Sequence, residues 1–244
     1  MKIYPCIALL LFVHTAKTQD SDLENERFPD IPSRFIELSI DFPETCFFAG
    51  RTNKKVVALT FDDGPTEVSK QVLELLDQYK AKGTFFWLGE QLDQYQEFAL
   101  QMAKGHQLAS HSWDHANLWE ATNEDLWDNQ VQKTNLEFKR LGLPVPKYYR
   151  PPYGAVTKAQ VTYLTSKKMN TVLWSLSTLD WDITRNAAEE IVERFKSGLH
   201  PGAIVLLHDR GFNDDGEQML IALKQILAHG ITKGYQFVTI EELF

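Results

Sequence analysis

Val56-Val57-Ala58-Leu59-Thr60-Phe61-Asp62-Asp63-Gly64-Pro65 is an apolar run closed by two adjacent carboxylates and a turn pair. The apolar part reads as a buried strand. Side chains alternate along a strand and diverge at its end, so Asp62 and Asp63 can hold different posts. One could bind a metal while the other stays free as a base. Further on, His111-Ser112-Trp113-Asp114-His115 sets two imidazoles four residues apart. Both would reach one ion if the chain turns helically there. One acid plus two histidines is the ligand count of a catalytic zinc site, with positions left open for water.

The rest of the chain bounds what such a site could serve. At 244 residues it suits one large domain, and its 43% hydrophobic and 24% charged content is that of a globular protein. A formal net charge of −8 without a basic stripe speaks against a nucleic-acid partner. Met1-Lys2 followed by Ile7–Val13 has the form of a secretory signal, too short to span a bilayer. The expected signal covers residues 1–18, with cleavage near Ala16 even though His14 departs from the small-residue rule. Export to the outside of a cell or to a periplasm follows, without stable membrane insertion. Cys6 lies in that signal, which leaves Cys46 alone and excludes an internal disulfide. Cys46 reads as a buried structural thiol. Nothing reads as an oligomer seam.

Residues 19–53 form an N-terminal lead-in, whose polar, acidic stretch from Gln19 to about Arg34 carries Pro29 and Pro32 and reads as surface-running. From Lys54 strand-like and helical runs alternate through residue 244. Strands are expected at Lys55–Phe61, Thr84–Leu88, Gln107–Ser110, Tyr148–Arg150, Thr171–Ser177, Ala203–His208 and Phe237–Thr239. Helices are expected near Glu67–Tyr79, Gln91–Lys104, Asn123–Leu141, Lys158–Lys167, Ala187–Ser197 and Glu217–Ala228. Asn186 and Glu189 are spaced as a capping box for the fifth of these. Such alternation implies a parallel sheet. Without a Gly-x-Gly-x-x-Gly fingerprint it favours a distorted parallel (β/α) barrel of about seven strands, in the α/β class. Asp62, Asp63, His111, Arg150, Asp180 and His208 all fall at or just past strand C-termini, the face on which such barrels build active sites.

Five blocks in order then resemble the polysaccharide deacetylases of the NodB-homology type, carbohydrate esterase family 4. They are Thr60-Phe61-Asp62-Asp63-Gly64, His111-Ser112-Trp113-Asp114-His115, Arg150-Pro151-Pro152-Tyr153-Gly154, Ser177-Thr178-Leu179-Asp180-Trp181 and Leu206-Leu207-His208. The likeness runs from about Lys54 to the C-terminus.

That resemblance implies Asp63, His111 and His115 as ligands of zinc or another divalent transition metal, which suits imidazole and carboxylate donors. It implies Asp62 as general base, Arg150 as the partner that holds Asp62 ionised, and His208 as general acid. The backbone N–H of Tyr153 would help hold the oxyanion. Asp180 would support the site, and Trp181, with Trp113 and Trp119, would wall a sugar groove. His106, His200 and His229 have no motif around them. The fourth block departs from the family at its first place, where Ser177 stands for an acid; Asp180 or Asp182 could take over its task.

The implied activity is metal-dependent removal of N-acetyl groups from N-acetylglucosamine units of an acetylated glycan such as chitin or peptidoglycan. O-acetyl ester hydrolysis would use the same parts. A small-molecule formamide or ureide amidohydrolase fits poorly with export, and an inactive carbohydrate-binding protein would have shown missing ligands.

Overall fold

β2, Val56–Asp62, is the middle of the molecule. The computed structural model describes residues 21–212 and 216–244. In it β2 pairs in parallel with β3 (Gly83–Trp87) on one side and β8 (Ala203–His208) on the other. β9 (Gln236–Phe237) pairs with the start of β2. From β3 the sheet continues through β4 (Gln107–Ser110), β5 (Tyr148–Tyr149) and β6 (Asn170–Val172) to β1 (Cys46–Phe47); from β8 it continues to β7 (Leu176–Ser177). Every named pairing is parallel. β6 pairs with β5 and β7 with β8, yet the two are parts of one short segment. The sheet therefore curls until its two flanks meet on that segment, which is the barrel expected from the strand–helix alternation.

All seven expected strands are present, and the fifth is broken. Its middle leaves the ladder because the Val172 and Leu173 carbonyls accept from Arg150 Nε and Nη2, at 3.3 and 3.1 Å. β1 was not expected, being only two residues long.

Alternation along the strands sorts the core into an inside and an outside. Ala58, Phe86, Ala109, Tyr148, Val172 and Ile204 fill the barrel, and Ile240 of the C-terminal helix α10 (Ile240–Leu243) packs with them. Val57, Leu59, Phe61, Phe85, Val205 and Leu207 point outward into the larger core. The helices that cover them are α3 (Glu67–Tyr79), α4 (Gln96–Met102), α6 (Gln132–Arg140), α8 (Ala188–Gly198) and α9 (Glu217–Thr232). Each fully buried aliphatic or aromatic side chain contributes about 1.5–3 kcal/mol. α3 begins where the sequence allows it to: Thr66 caps it and Ser69 closes a capping box.

Three expectations need correction. The lead-in is not simply surface-running: α1 covers residues 21–27 and α2 Ser33–Asp41. Phe28, Ile31, Phe35 and Ile36 bury in a second core with Cys46, Phe48 and Val161. Its apolar residues recur at helical spacing between the charges, and they win. The capping box at Asn186 does not form, because α8 is capped one residue later by Ala187 without a side-chain bond. The Ala188 N–H instead donates to Gln218 Oε1 of α9, at 3.0 Å. The second expected helix is split into a 3-10 turn, Gly89–Tyr95, and α4.

Cys46 is free and buried, and burial pushes its thiol up to about 12. The expected signal and Cys6 lie outside the described residues. Among the described residues no helix is long and apolar enough to cross a membrane.

Candidate active site at the C-terminal rim of the barrel

The inward column of β2 is Ala58, Thr60, Asp62, and it ends on a carboxylate. The same alternation carries Ala109 to His111, Tyr148 to Arg150 and Ile204 to His208. Four polar side chains from four neighbouring segments thus converge on the barrel mouth, each two or four residues beyond an inward apolar one.

Arg150 is fully buried. Its Nη1 donates to Asp62 Oδ1 at 2.7 Å and to Thr60 Oγ1 at 2.8 Å, and its guanidinium lies 4.2 Å from the Phe86 ring centre. The arginine fork thereby fixes one oxygen of Asp62 and leaves Oδ2 pointing toward His111 Nε2, 3.7 Å away.

Asp63 breaks the alternation. Its φ of 76° takes the chain out of strand conformation, and its Oδ1 comes within 3.4 Å of His111 Nε2 and 3.2 Å of His115 Nε2. One ligand atom from each residue lies within 4.8 Å of the others. A tetrahedral ion with bonds of about 2.1 Å would hold its ligands about 3.4 Å apart. Asp63 Oδ1 is buried without a hydrogen-bond partner, as a metal ligand in a metal-free cradle would be. His111 Nδ1 sits 2.8 Å from the Arg150 carbonyl, which can only accept, so the proton is on Nδ1 and Nε2 presents a lone pair. Burial and the neighbouring His111 lower the pKa of His115, which favours the neutral ligand form. Burial works against ionisation of Asp63, yet the neighbouring His111, with His208 and His115, holds it well below the usual carboxylate range. These three residues could hold a metal ion.

The histidine pair does not lie on a helix. Ser112 and His115 have φ of 74° and 63°, and the His115 N–H donates to Ser112 Oγ at 3.1 Å. His111 is the first residue after β4, so the loop must reverse within a few residues to bring His115 back. Tyr153 (φ 60°) and Leu179 (φ 56°) are also left-handed. Five of the seven non-glycine residues with positive φ among the described residues thus lie in the loops of this rim, where such strain accompanies function.

On the other side of the mouth, His208 Nδ1 donates to Asp180 Oδ1 at 3.0 Å and its backbone N–H donates to Asp180 Oδ2 at 2.7 Å. Burial alone would lower the His208 pKa, but Asp180, helped by Asp63 and Asp62, raises it to about 9. Asp180 is thus the acid paired with His208, while Ser177 ends β7 opposite Leu206. Asp182 turns away and accepts from Thr184.

Tyr153 stands 62% exposed with its ring 4.6 Å from that of His115, and Trp181 is 45% exposed. Trp119 is also exposed, with the Arg34 guanidinium 5.4 Å from its ring. Trp113 is half-buried under Lys133. His106, His200 and His229 lie elsewhere. His106 Nδ1 accepts from the Gly83 N–H, and His200 bonds Ser175.

Two residues at the rim escaped the sequence reading. Arg210 Nη1 lies 3.5 Å from Asp63 Oδ2. Asp209 is fully buried on the outer side of β8, where its Oδ2 accepts from Trp87 Nε1 at 2.7 Å and Ser69 Oγ at 2.6 Å. Burial pushes it up to about 7. A Cβ on Gly64 would meet Asp209 Oδ2 at 2.3 Å, so the glycine of Asp-Asp-Gly is required by close approach. Asp209 directly follows the last residue of β8, and its partners Trp87 and Ser69 come from distant parts of the chain, so no local spacing marks it.

Comparison with known proteins identifies the family. The sequence profile of the polysaccharide deacetylase family matches residues 49–172. A peptidoglycan-N-acetylglucosamine deacetylase of Bacillus cereus is 36% identical over 200 residues, 81% of this chain and 71% of its own length. One from Listeria monocytogenes is 36% identical over 217 residues, 88% of this chain but only 43% of its own length. The crystal structure of the Bc1960 peptidoglycan N-acetylglucosamine deacetylase, bound to a naphthalenyl N-oxidanyl-benzamide, superposes with a TM-score of 0.75 at 36% identity. It covers 81% of this chain and 91% of that one. The chain belongs to the polysaccharide deacetylase family.

Proposed function

We propose that the protein is an exported, metal-dependent hydrolase that removes N-acetyl groups from N-acetylglucosamine units of a polysaccharide or oligosaccharide, of the peptidoglycan or chitin type. The observation that carries this reading is the division of labour between adjacent acids. Asp63 Oδ1 faces two imidazole nitrogens with no hydrogen-bond partner, while Asp62 is pinned by Arg150 through Oδ1 and is not one of the three residues whose ligand atoms converge.

Asp63, His111 and His115 would hold the ion. A bound zinc, or another divalent transition metal, would polarise the acetyl carbonyl and make water acidic enough to lose a proton near neutral pH. Asp62 is the base for that proton, with Oδ2 free to accept it while Oδ1 stays on Arg150. His208, kept protonated by Asp180, is the acid that gives a proton to the departing nitrogen. An amine leaves poorly unless protonated, so the reaction needs both a base and an acid. The Tyr153 backbone N–H, at a left-handed turn beside His115, would donate to the carbonyl oxygen as its charge develops. Trp181 offers an exposed indole on which a sugar ring can stack.

The relatives named for peptidoglycan N-acetylglucosamine favour that polymer, and export of the protein would bring it to the wall. The test is acetate release from peptidoglycan fragments and chitooligosaccharides by the purified, zinc-loaded protein, repeated after chelation. The expected result is release that chelation abolishes and zinc restores. Release that survives metal removal would refute the mechanism. Binding of glycan without acetate release would identify an inactive carbohydrate-binding protein instead.

A further inference from the structure

The loop that carries His111 and His115 holds its shape only partly by its own hydrogen bonds. It has no helical or sheet hydrogen bonding across Ser112–His115, and two of its residues are left-handed. Within it the His115 N–H donates to Ser112 Oγ and the Ala116 N–H to Asp114 Oδ1, both at 3.1 Å, and further hydrogen bonds come from outside. The Gly89 and Glu90 N–H groups donate to the carbonyls of Ser112 and Trp113, both at 3.1 Å. Gly89 has no room for a side chain, since a Cβ there would lie 2.6 Å from the Trp113 ring.

One buried side chain from outside adds two further hydrogen bonds. Gln130 Oε1 accepts from the Trp113 N–H at 2.8 Å, and Gln130 Nε2 donates to Asp114 Oδ1 at 3.1 Å. Gln130 is only 8% exposed, and both arms of its amide are spent on this loop. It sits in a π-helical stretch, Leu126–Val131, between a helical turn at Asn123–Asp125 and α6. The wider π turn lets two sequence neighbours face inward together: Val131 enters an apolar cluster with Leu118 and Tyr149, while Gln130 reaches the loop.

We infer that Gln130 is a positioning residue for the metal site: its two-armed amide sets the Trp113–Asp114 backbone and thereby the place of His115 Nε2. The inference rests on the reading of Asp63, His111 and His115 as ligands. Partners that orient metal ligands typically change metal affinity by about 10–100-fold when removed.

The experiment compares wild type with Gln130→Met, Gln130→Glu and Asn129→Ala, the last an outward-facing control. Zinc affinity is measured by competition with a chromogenic chelator, and amide hydrogen exchange of residues 112–116 is followed on the metal-free proteins. Gln130→Met should weaken zinc binding about tenfold and speed exchange at Trp113. Gln130→Glu should weaken it further, because a second carboxylate then faces Asp114. With zinc saturating, KM should stay near wild type. Asn129→Ala should change nothing. Wild-type zinc affinity in Gln130→Met, or unchanged exchange at Trp113, would overturn the inference. Loss of protection throughout the barrel in that variant would also overturn it, by showing a general structural role. A wild type that takes no zinc would refute the proposed function, and exchange at Trp113 would still decide the role of Gln130.

Discussion

The two sides of the barrel mouth are built differently. Asp62, Arg150 and His208 stand at inward positions of or just beyond strands, each tied to a buried partner of opposite charge. Asp63 and His115 stand on left-handed loop residues held by contacts from other elements. The first side is set by strand register and the second by loop conformation. Proton transfer needs donor and acceptor atoms held in place, which a buried ion pair supplies. A metal cradle needs ligand atoms converging from several directions, which strand ends alone do not provide. Substitutions on one side should therefore change metal content, and on the other pH dependence and rate.

His111→Ala removes the ligand that joins the two sides, since His111 ends the inward column of β4 yet faces Asp63 and His115. Zinc should be lost, and with it several kcal/mol of transition-state stabilisation, so acetate release should fall by about 10³-fold or more. Retained zinc with intact activity would erase the distinction. His208→Gln should lower kcat by about 10²–10⁴-fold with zinc content unchanged, which steady-state kinetics and metal analysis would show together.

Asp180→Asn sharpens the comparison. Without the Asp180 charge, the His208 pKa should fall from about 9 toward its ordinary 6.5. The alkaline limb of the rate profile then moves to lower pH, with activity down about tenfold or more at pH 8 and little changed at pH 6. The sign for stability follows from the same shift. A histidine raised in the folded state contributes stability that is full below pH 6.5 and lost as pH rises through about 9. Asp180→Asn should flatten that slope in denaturant unfolding of the metal-free protein. An unmoved alkaline limb would remove His208 as the acid.

How much of this was legible in the sequence follows the same division. The inward column could be read because period-two alternation converts a strand assignment directly into side-chain direction: Ala58 to Asp62 and Ile204 to His208 need no further information. The helical turn expected at His111–His115 failed because four-residue spacing fits a helix and also a loop whose left-handed residues bring the second imidazole back. Asp209 was overlooked because it faces outward, where sequence gives no hint that Trp87 and Ser69 would meet it. Gln130 was hidden for a related reason, since a π turn leaves no clear mark on apolar spacing. Within the acidic stretch Gln19–Arg34 only Phe28 and Ile31 are buried among the described residues, and the surrounding charges give no sign of their packing.

Trp181→Ala should have a modest effect, raising KM about two- to tenfold with kcat near wild type, the scale of one aromatic contact. Unchanged KM would place the sugar elsewhere, with Trp119 the next platform to test. Cys46→Ala lies far from both sides in character. It should cost about 1–2 kcal/mol of stability through a small cavity in the second core while leaving acetate release unchanged.

The most direct test compares Asp62→Asn with Asp63→Asn, assaying bound zinc and acetate release on the same preparations. Asp62→Asn should keep about one zinc per chain while losing most activity, since the amide still accepts from Arg150 but cannot take a proton. Asp63→Asn should lose the zinc as well. Zinc lost from Asp62→Asn but kept by Asp63→Asn, or full activity in either variant, would contradict the assignment of the two neighbouring acids.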